Sequence, residues 1–233
     1  MTSTTSGAAF ATASAAMVRG TDAASTVHVL LADCLDLLDA GTAGILVRAE
    51  GSDIELLAAT SHQATELELY QSQSHSGPCI DTIGHGHSVE ATGESEVAAR
   101  WPDFGRAMVE AGYLTVHTSP MQWHEHTLGG LNLFWHHERQ LAPDERKLAQ
   151  AFADICTLAL MQPTTTDDSS ITQRLLAALQ GRVDIERAKG VLAQTENIDT
   201  AEAFTLLVNR SKNTDRPLAE VAHMILQDIV TPR

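Results

Sequence analysis

Cysteine is scarce in this chain. Cys34, Cys79 and Cys156 are its only thiols, and they stand far apart in 233 residues. That excludes a disulfide framework and a paired-cysteine zinc site, and it fits a reducing cytoplasm. Long apolar runs are missing as well. No stretch of about 18 uncharged apolar residues occurs, so no membrane-spanning helix is expected. No basic segment precedes an apolar core near the start, so no signal peptide is expected either. Cations are few, 15 Lys and Arg against 30 Asp and Glu, for a net charge of −15. The overall field therefore does not draw the chain to nucleic acid or to an anionic membrane. Catalytic signatures are also lacking. There is no Gly-x-Ser-x-Gly, no phosphate loop and no His-Glu-x-x-His, and no enzymatic activity is expected.

What is present is a globular composition, 43% hydrophobic and 19% charged, long enough for one or two domains. The charge is uneven. Residues 1–166 carry 7 Lys/Arg and 20 Asp/Glu; residues 167–233 carry 8 and 10. Any contact with a phosphate backbone belongs to that second segment.

Four stretches follow one another. Residues 1–22 are rich in Ala, Ser and Thr and read as a flexible N-terminal arm. Residues 23–161 alternate between helical and strand signals. Val27, Leu30, Leu31, Cys34, Leu37 and Leu38 fall at helical spacing, with Gly41 as the stop. Residues 43–48 and 54–60 form a strand pair around Gly51-Ser52-Asp53. Residues 114–120 and 128–135 form two more strands, with Gly129-Gly130 marking a bulge or a close packing site. Short helices are expected after Cys79 and over residues 103–111. A longer one is expected over residues 143–160, with Pro143 in its first turn. This is an α+β layout with an antiparallel sheet. Residues 162–170 are polar, contain Pro163 and read as a linker.

Residues 171–230 are helical throughout. Leu175, Leu179 and Val183 share one face of a long helix, whereas Ile185, Ala188, Val191 and Leu192 lie nearly opposite. The stripe changes sides near Gly181, so this helix needs two partners. The first half suits another long helix, such as one from a second subunit. Asp199 and Glu202 have capping-box spacing and open a second helix that carries Ala203, Phe204, Leu207 and Val208. Asp215 and Pro217 suit the start of a third, whose inner face is Leu218, Val221, Ala222, Ile225 and Ile229.

Candidate functional residues are sparse. Arg174, Arg182 and Lys189 fall within about 80° of the long helix. Arg210, Lys212 and Arg216 cluster with Asn209, Asn213 and Thr214 at the second turn. Glu186 is placed to pair with Arg182. Phe204, the only aromatic after residue 166, is expected in the core, so stacking of unpaired bases is not the binding mode. His85-Gly86-His87, His124-Glu125-His126 and His136-His137 have spacings open to metal or haem. Surface placement is the simpler expectation, and no metal site is assigned. Cys79 is a redox candidate because a helix N-terminus lowers a thiol pKa; a small buried hydrophobe is the alternative.

The C-terminal segment resembles an ANTAR domain. The resemblance is carried by Arg182-x-x-Ile185-x-x-Ala188-Lys189-Gly190-Val191-Leu192, by Ala203-Phe204-x-x-Leu207 and by Asp215-Arg216-x-Leu218-x-x-Val221-Ala222. Val208 and Asp215 stand where that family often has a basic residue and an Asn. The resemblance implies binding to paired stem-loops in a nascent RNA leader, antitermination of transcription, and a homodimer with one head per loop. Arg182, Lys189, Arg210, Lys212, Asn213 and Arg216 are the RNA contacts it implies.

Residues 23–161 resemble a GAF domain. The carriers are Gly77-Pro78-Cys79-Ile80-Asp81, Trp101-Pro102-x-Phe104, Ala111-Gly112, Pro120-Met121 and Gly129-Gly130-Leu131-Asn132-Leu133-Phe134. That implies a five- or six-stranded antiparallel sheet flanked by helices, and signal input through a small molecule whose identity the resemblance leaves open. Two other readings remain at this point. One is a small-molecule, haem or redox sensor whose helical tail only dimerises or docks. The other is a DNA-binding helix-turn-helix, which the single cation Arg216 at the start of the third helix disfavours.

Overall fold

Ala-rich sequence at the start forms a helix rather than an arm. In the computed structural model, which describes residues 5–19, 22–48, 53–162, 170–214 and 216–230 with side chains at 212 and 228–230 left out, α1 spans Ser6–Val18 and is capped by Thr5. Ala has the highest helix propensity. Buried Ala9 and Ala13, and Phe10 with its ring tilted 60° to that of Phe152 at a centroid distance of 5.0 Å, dock this helix onto the core. The expectation of a flexible arm is corrected for residues 6–18.

The remaining elements are α2 (Ala23–Leu38), β1 (Thr42–Arg48), β2 (Ile54–Ala59), α3 (His62–Ser74), α4 (Pro78–His85) and β3 (Val89–Thr92). They continue with α5 (Glu94–Arg100), α6 (Pro102–Glu110), β4 (Thr115–Trp123), β5 (His126–Trp135) and α7 (Pro143–Leu160). The chain ends in α8 (Ile171–Glu196), α9 (Thr200–Thr214) and α10 (Leu218–Val230). Helix α2 stops at Asp39, which takes the left-handed conformation with φ 49°, two residues before the expected stop at Gly41. The β1–β2 turn at Gly51-Ser52 and the linker residues 163–169 lie outside the described residues.

One antiparallel five-stranded sheet has the order β2-β1-β5-β4-β3. Side chains alternate across it. Ala43, Ile45, Val47, Leu131, Leu133 and Trp135 enter the core that also holds α1, α2 and α7. Val116 and Phe134 point the other way, into a second core with Trp101, Phe104 and Met108 of the α5–α6 region. At the centre of the sheet the backbones are crowded. A Cβ on Gly129 would stand 2.1 Å from the Leu46 carbonyl oxygen, and one on Gly130 would stand 2.8 Å from Cys79 Sγ. The glycine pair is thus a close packing site, and the register shifts beside it: Met121 pairs with Gly129 and Gln122 with Thr127, which skips Leu128 of the same strand.

Helix α8 does have two apolar faces, but its first partner is in the same chain. Leu175, Ala178 and Leu179 join the α1/α2/α7 core. Beyond Gly181 the buried residues are Ile185, Ala188 and Leu192, which form a separate core with Ala203, Leu207, Leu218, Val221 and Ala222. Reciprocal bonds between Asp199 and Glu202, at 2.8 and 3.3 Å, make the expected capping box of α9. Asp215 and the side chain of Ile229 lie outside the described residues. No helix among the described residues is long and apolar enough to cross a membrane.

Candidate nucleic-acid interface

The cations singled out in the helical head divide into two groups. Arg210, Asn213 and Arg216 gather at the α9–α10 turn. The Arg210 guanidinium lies 3.0 Å from Glu196, and the Arg216 guanidinium 2.6 Å from Glu220. Both pairs are about half exposed, so each contributes little to stability and can be exchanged for a phosphate. Asn209 and Asn213 are exposed beside them. The Lys212 side chain lies outside the described residues.

Arg182 and Lys189 point elsewhere. Arg182 Nη1 donates to the Leu56 carbonyl oxygen at 3.0 Å. Leu56 belongs to β2, an edge strand with unpaired carbonyls to satisfy. Burial lowers the Arg182 pKa, opposed by the carboxylates of Glu186 and Glu55. Glu186 pairs with Lys189 at 2.9 Å instead of with Arg182, which corrects the pairing expected from the spacing. Lys189 Nζ also lies 5.6 Å over the Phe204 ring, and its side chain is only 18% exposed. Phe204 packs against the head's core and also against His28 on α2, with ring centroids 4.2 Å apart. It therefore forms a seam with the sheet-containing half. Burial, and then the charge of Lys189, lower the His28 pKa to about 4, against a smaller opposing effect of Glu186. Arg174 donates to the Met161 carbonyl oxygen just ahead of the linker.

One cation escaped the sequence reading. Arg187 is exposed and, among the described cations of the head, alone has no hydrogen bond or ion pair. It stands about 140° around α8 from Arg182, outside the sector used to choose candidates. With Gly190, Val191, Gln194, Thr195 and Leu226 it lines an open, mostly apolar groove of 570 Å³ between α8 and α10. Gly190 was the available signal: a Cβ there would meet nothing within 4 Å.

In the sheet-containing half a buried polar cluster sits between α3, α4 and the sheet. Asn132 Nδ2 donates to both Glu68 carboxyl oxygens at 2.8 Å, and Gln71 Nε2 donates to one at 3.0 Å. Thr118 Oγ1 donates to Asn132 Oδ1 at 2.7 Å, and the Cys79 N–H donates to Gln71 Oε1 at 2.9 Å. The bonds from Asn132 and Gln71 favour the ionised carboxylate. Complete burial outweighs them and raises the Glu68 pKa to about 8. The cluster is tightly packed, since a Cβ on Gly44 would stand 2.4 Å from Glu68 Oε1. Cys79 follows the N-cap of α4 as expected. It is fully buried, and burial together with Glu68 raises its thiol pKa. A thiol held in that protonated, inaccessible form is unsuited to redox chemistry, which corrects its candidacy.

The histidines remain dispersed in role. Gln122 Nε2 donates to the Gly86 carbonyl at 2.9 Å, bringing His85 and His87 to the sheet end that holds His124 and His126. His136 stacks on Tyr113 and donates to the Gly112 carbonyl oxygen. Among the described residues no group of three or more His, Cys, Asp or Glu has the arrangement to hold a metal.

Residues 173–226 match the ANTAR domain, a span that runs from the first turn of α8 into α10. No curated protein matches the sequence. The phycocyanobilin-bound GAF domain of a cyanobacterial phytochrome superposes on 69% of this chain and 96% of its own, at 11% identity and a TM-score of 0.53. The GAF domain of a Coxiella burnetii phosphoenolpyruvate-protein phosphotransferase covers 69% of this chain and 95% of its own, at 11% identity and 0.52. A GAF domain/HD domain protein of Geobacter sulfurreducens covers 64% and 98%, at 12% identity and 0.51. At these identities the shared property is the fold. The chain joins a half with the GAF fold to an ANTAR domain.

Proposed function

With a GAF-fold half joined to an ANTAR domain as the premise, we propose that this chain is an RNA-binding transcription regulator. Its head holds paired stem-loops of a nascent leader and so prevents a terminator hairpin from forming. The supporting observation is the match at residues 173–226 to an ANTAR domain whose α9–α10 turn presents Arg210, Asn213 and Arg216 to solvent. Those residues suit phosphate and loop-base contacts. Lys212 belongs to the same set by sequence, and Arg187 extends it along α8. Arg182 completes the contact surface when it is released from β2, with Lys189 beside it on the same face of α8. The site of action is the cytoplasm. The active form is a homodimer, since two loops require two heads. Signal input runs through the GAF-fold half, with a small molecule as the effector class.

The test is binding of the full chain to a labelled RNA carrying two short stem-loops, across a salt series. Binding with a steep salt dependence is expected. Arg210→Ala and Arg216→Ala are each expected to weaken binding and to reduce the slope of log affinity against log salt by about one. Absence of binding by the full chain and by variants with the α2–α8 contact opened would overturn the RNA reading. It would leave a sensor whose helical tail only dimerises or docks.

A further inference from the structure

We propose that the GAF-fold half carries an interaction surface, made of α2 and the edge strand β2, whose partner is the chain's own head, and that RNA competes with this surface for the Arg182–Lys189 face of α8. The proposal rests on the RNA reading above and adds the autoinhibitory contact. Four features of one seam carry it. Arg182 is tied to the Leu56 carbonyl on β2. Phe204 is held between His28 of α2 and Lys189. Gly181 lies where α2, α8 and α10 converge, its ideal Cβ position 3.7 Å from Ala24 Cβ and 3.5 Å from Ala219 Cβ. Glu55 on β2 supplies a negative charge near Arg182.

The seam holds Arg182 directly and reaches Lys189 through the Phe204 ring, and both are candidate RNA contacts. A guanidinium committed to a backbone carbonyl cannot also bind a phosphate with the same N–H. Lys189 keeps Glu186 and Phe204 in either state, and what the seam adds is His28 of α2 on the Phe204 ring beside it. The α9–α10 turn, with Arg210 and Arg216, stays open throughout. The closed chain therefore retains a partial site, and opening completes it. The result is graded control, with weak RNA binding when closed and strong binding when open.

The Ala24–Gly181 contact gives a direct test. A Cβ–Cβ separation of 3.7 Å is within the range of a disulfide. The native cysteines are buried and free. The double variant Ala24→Cys/Gly181→Cys is expected to form an intrachain disulfide on mild oxidation. The oxidised protein is expected to bind the two-stem-loop RNA at least tenfold more weakly than the same protein after reduction. A second variant, Ala24→Trp, wedges the seam open and is expected to bind at least as tightly as the unmodified chain. If the disulfide forms and affinity does not change, the autoinhibitory contact is overturned and the RNA reading survives. Failure of the disulfide to form also overturns the contact. If the reduced pair, the wedge variant and the unmodified chain all fail to bind, the RNA reading itself is overturned, and the competition proposed here goes with it.

Discussion

In the GAF-fold half the largest fully buried side chains include Trp135, Tyr113, Phe104, Phe134 and Phe152, drawn from strands and helices far apart in sequence. The head's core, among the described residues, consists of Ile185, Ala188, Leu192, Ala203, Leu207, Leu218, Val221 and Ala222. It contains no fully buried ring, and its one aromatic, Phe204, lies at the seam with α2. One half is a close-packed sheet with polar groups locked inside it. The other is a small aliphatic bundle that leaves its largest side chain for a neighbour to cover. In a head of this kind, stability and position depend partly on the GAF-fold half, because covering Phe204 and Arg182 contributes burial that so small a helical core does not supply by itself.

The sharpest test of that contrast uses two glycines. Gly129→Ala forces a methyl against the Leu46 carbonyl oxygen in the middle of the sheet. It is expected to cost more than about 4 kcal/mol, read as loss of the cooperative melting transition of the GAF-fold half. The next effect in size comes from Glu68. Its carboxyl has a pKa of about 8 when folded, against an ordinary 4.5. Unfolding therefore releases a proton at any pH between those values, and stability falls as pH rises from 4.5 to 8, by about 3 kcal/mol at pH 7. Urea titrations from pH 5 to 8 are expected to show that decline, and Glu68→Gln to remove the slope even if it lowers stability overall.

His28 works in the opposite direction and at the seam. Its pKa is about 4 when covered and 6.5 when exposed. The closed arrangement is therefore favoured fully above pH 6.5 and loses that contribution as pH falls toward 4. At pH 5.5 opening is expected to be favoured about tenfold relative to neutral pH. Protease susceptibility of the linker region or exchange of α2 amides would report it, and His28→Leu is expected to abolish the pH dependence. The smallest effect is Gly181→Ala. Its new methyl meets Ala24 and Ala219 at ordinary contact distance. It also replaces a helical glycine, so a gain of about 1 kcal/mol in the head is expected from thermal melts. A loss there comparable to that of Gly129→Ala would mean the seam is packed as tightly as the sheet.

Periodicity made much of this fold legible. Helices α7 and α8, the strand pairs β1–β2 and β4–β5, and the capping box at Asp199 all follow from spacing. Helix α3 was missed for a physical reason. Its buried positions include Glu68 and Gln71 beside Ala64 and Leu67, whereas Leu69 and Tyr70 are exposed. A helix whose buried face carries a carboxyl and an amide gives no apolar stripe to detect. Helix α1 was missed because Ala and Ser runs carry little pattern. Among the candidate contacts, the sequence grouped Arg182 and Lys189 by helical angle, but angle alone does not say what faces them. The Leu56 carbonyl and the His28 ring come from segments 126 and 176 residues away from Arg182 and Phe204.

Helix α8 runs unbroken for 26 residues from the core of the GAF-fold half into the head core. At about 1.5 Å per residue it is a rod of roughly 39 Å. Its first turns are seated among Phe152, Cys156 and Leu160 in the same core as α2 and α7. A tilt of about 10° at that seat would sweep the far end of the rod by roughly 7 Å, enough to lift Phe204 off His28. The helix thus acts as a lever whose fulcrum is buried in the GAF-fold half. A rearrangement there too small to alter the sheet is magnified at the head.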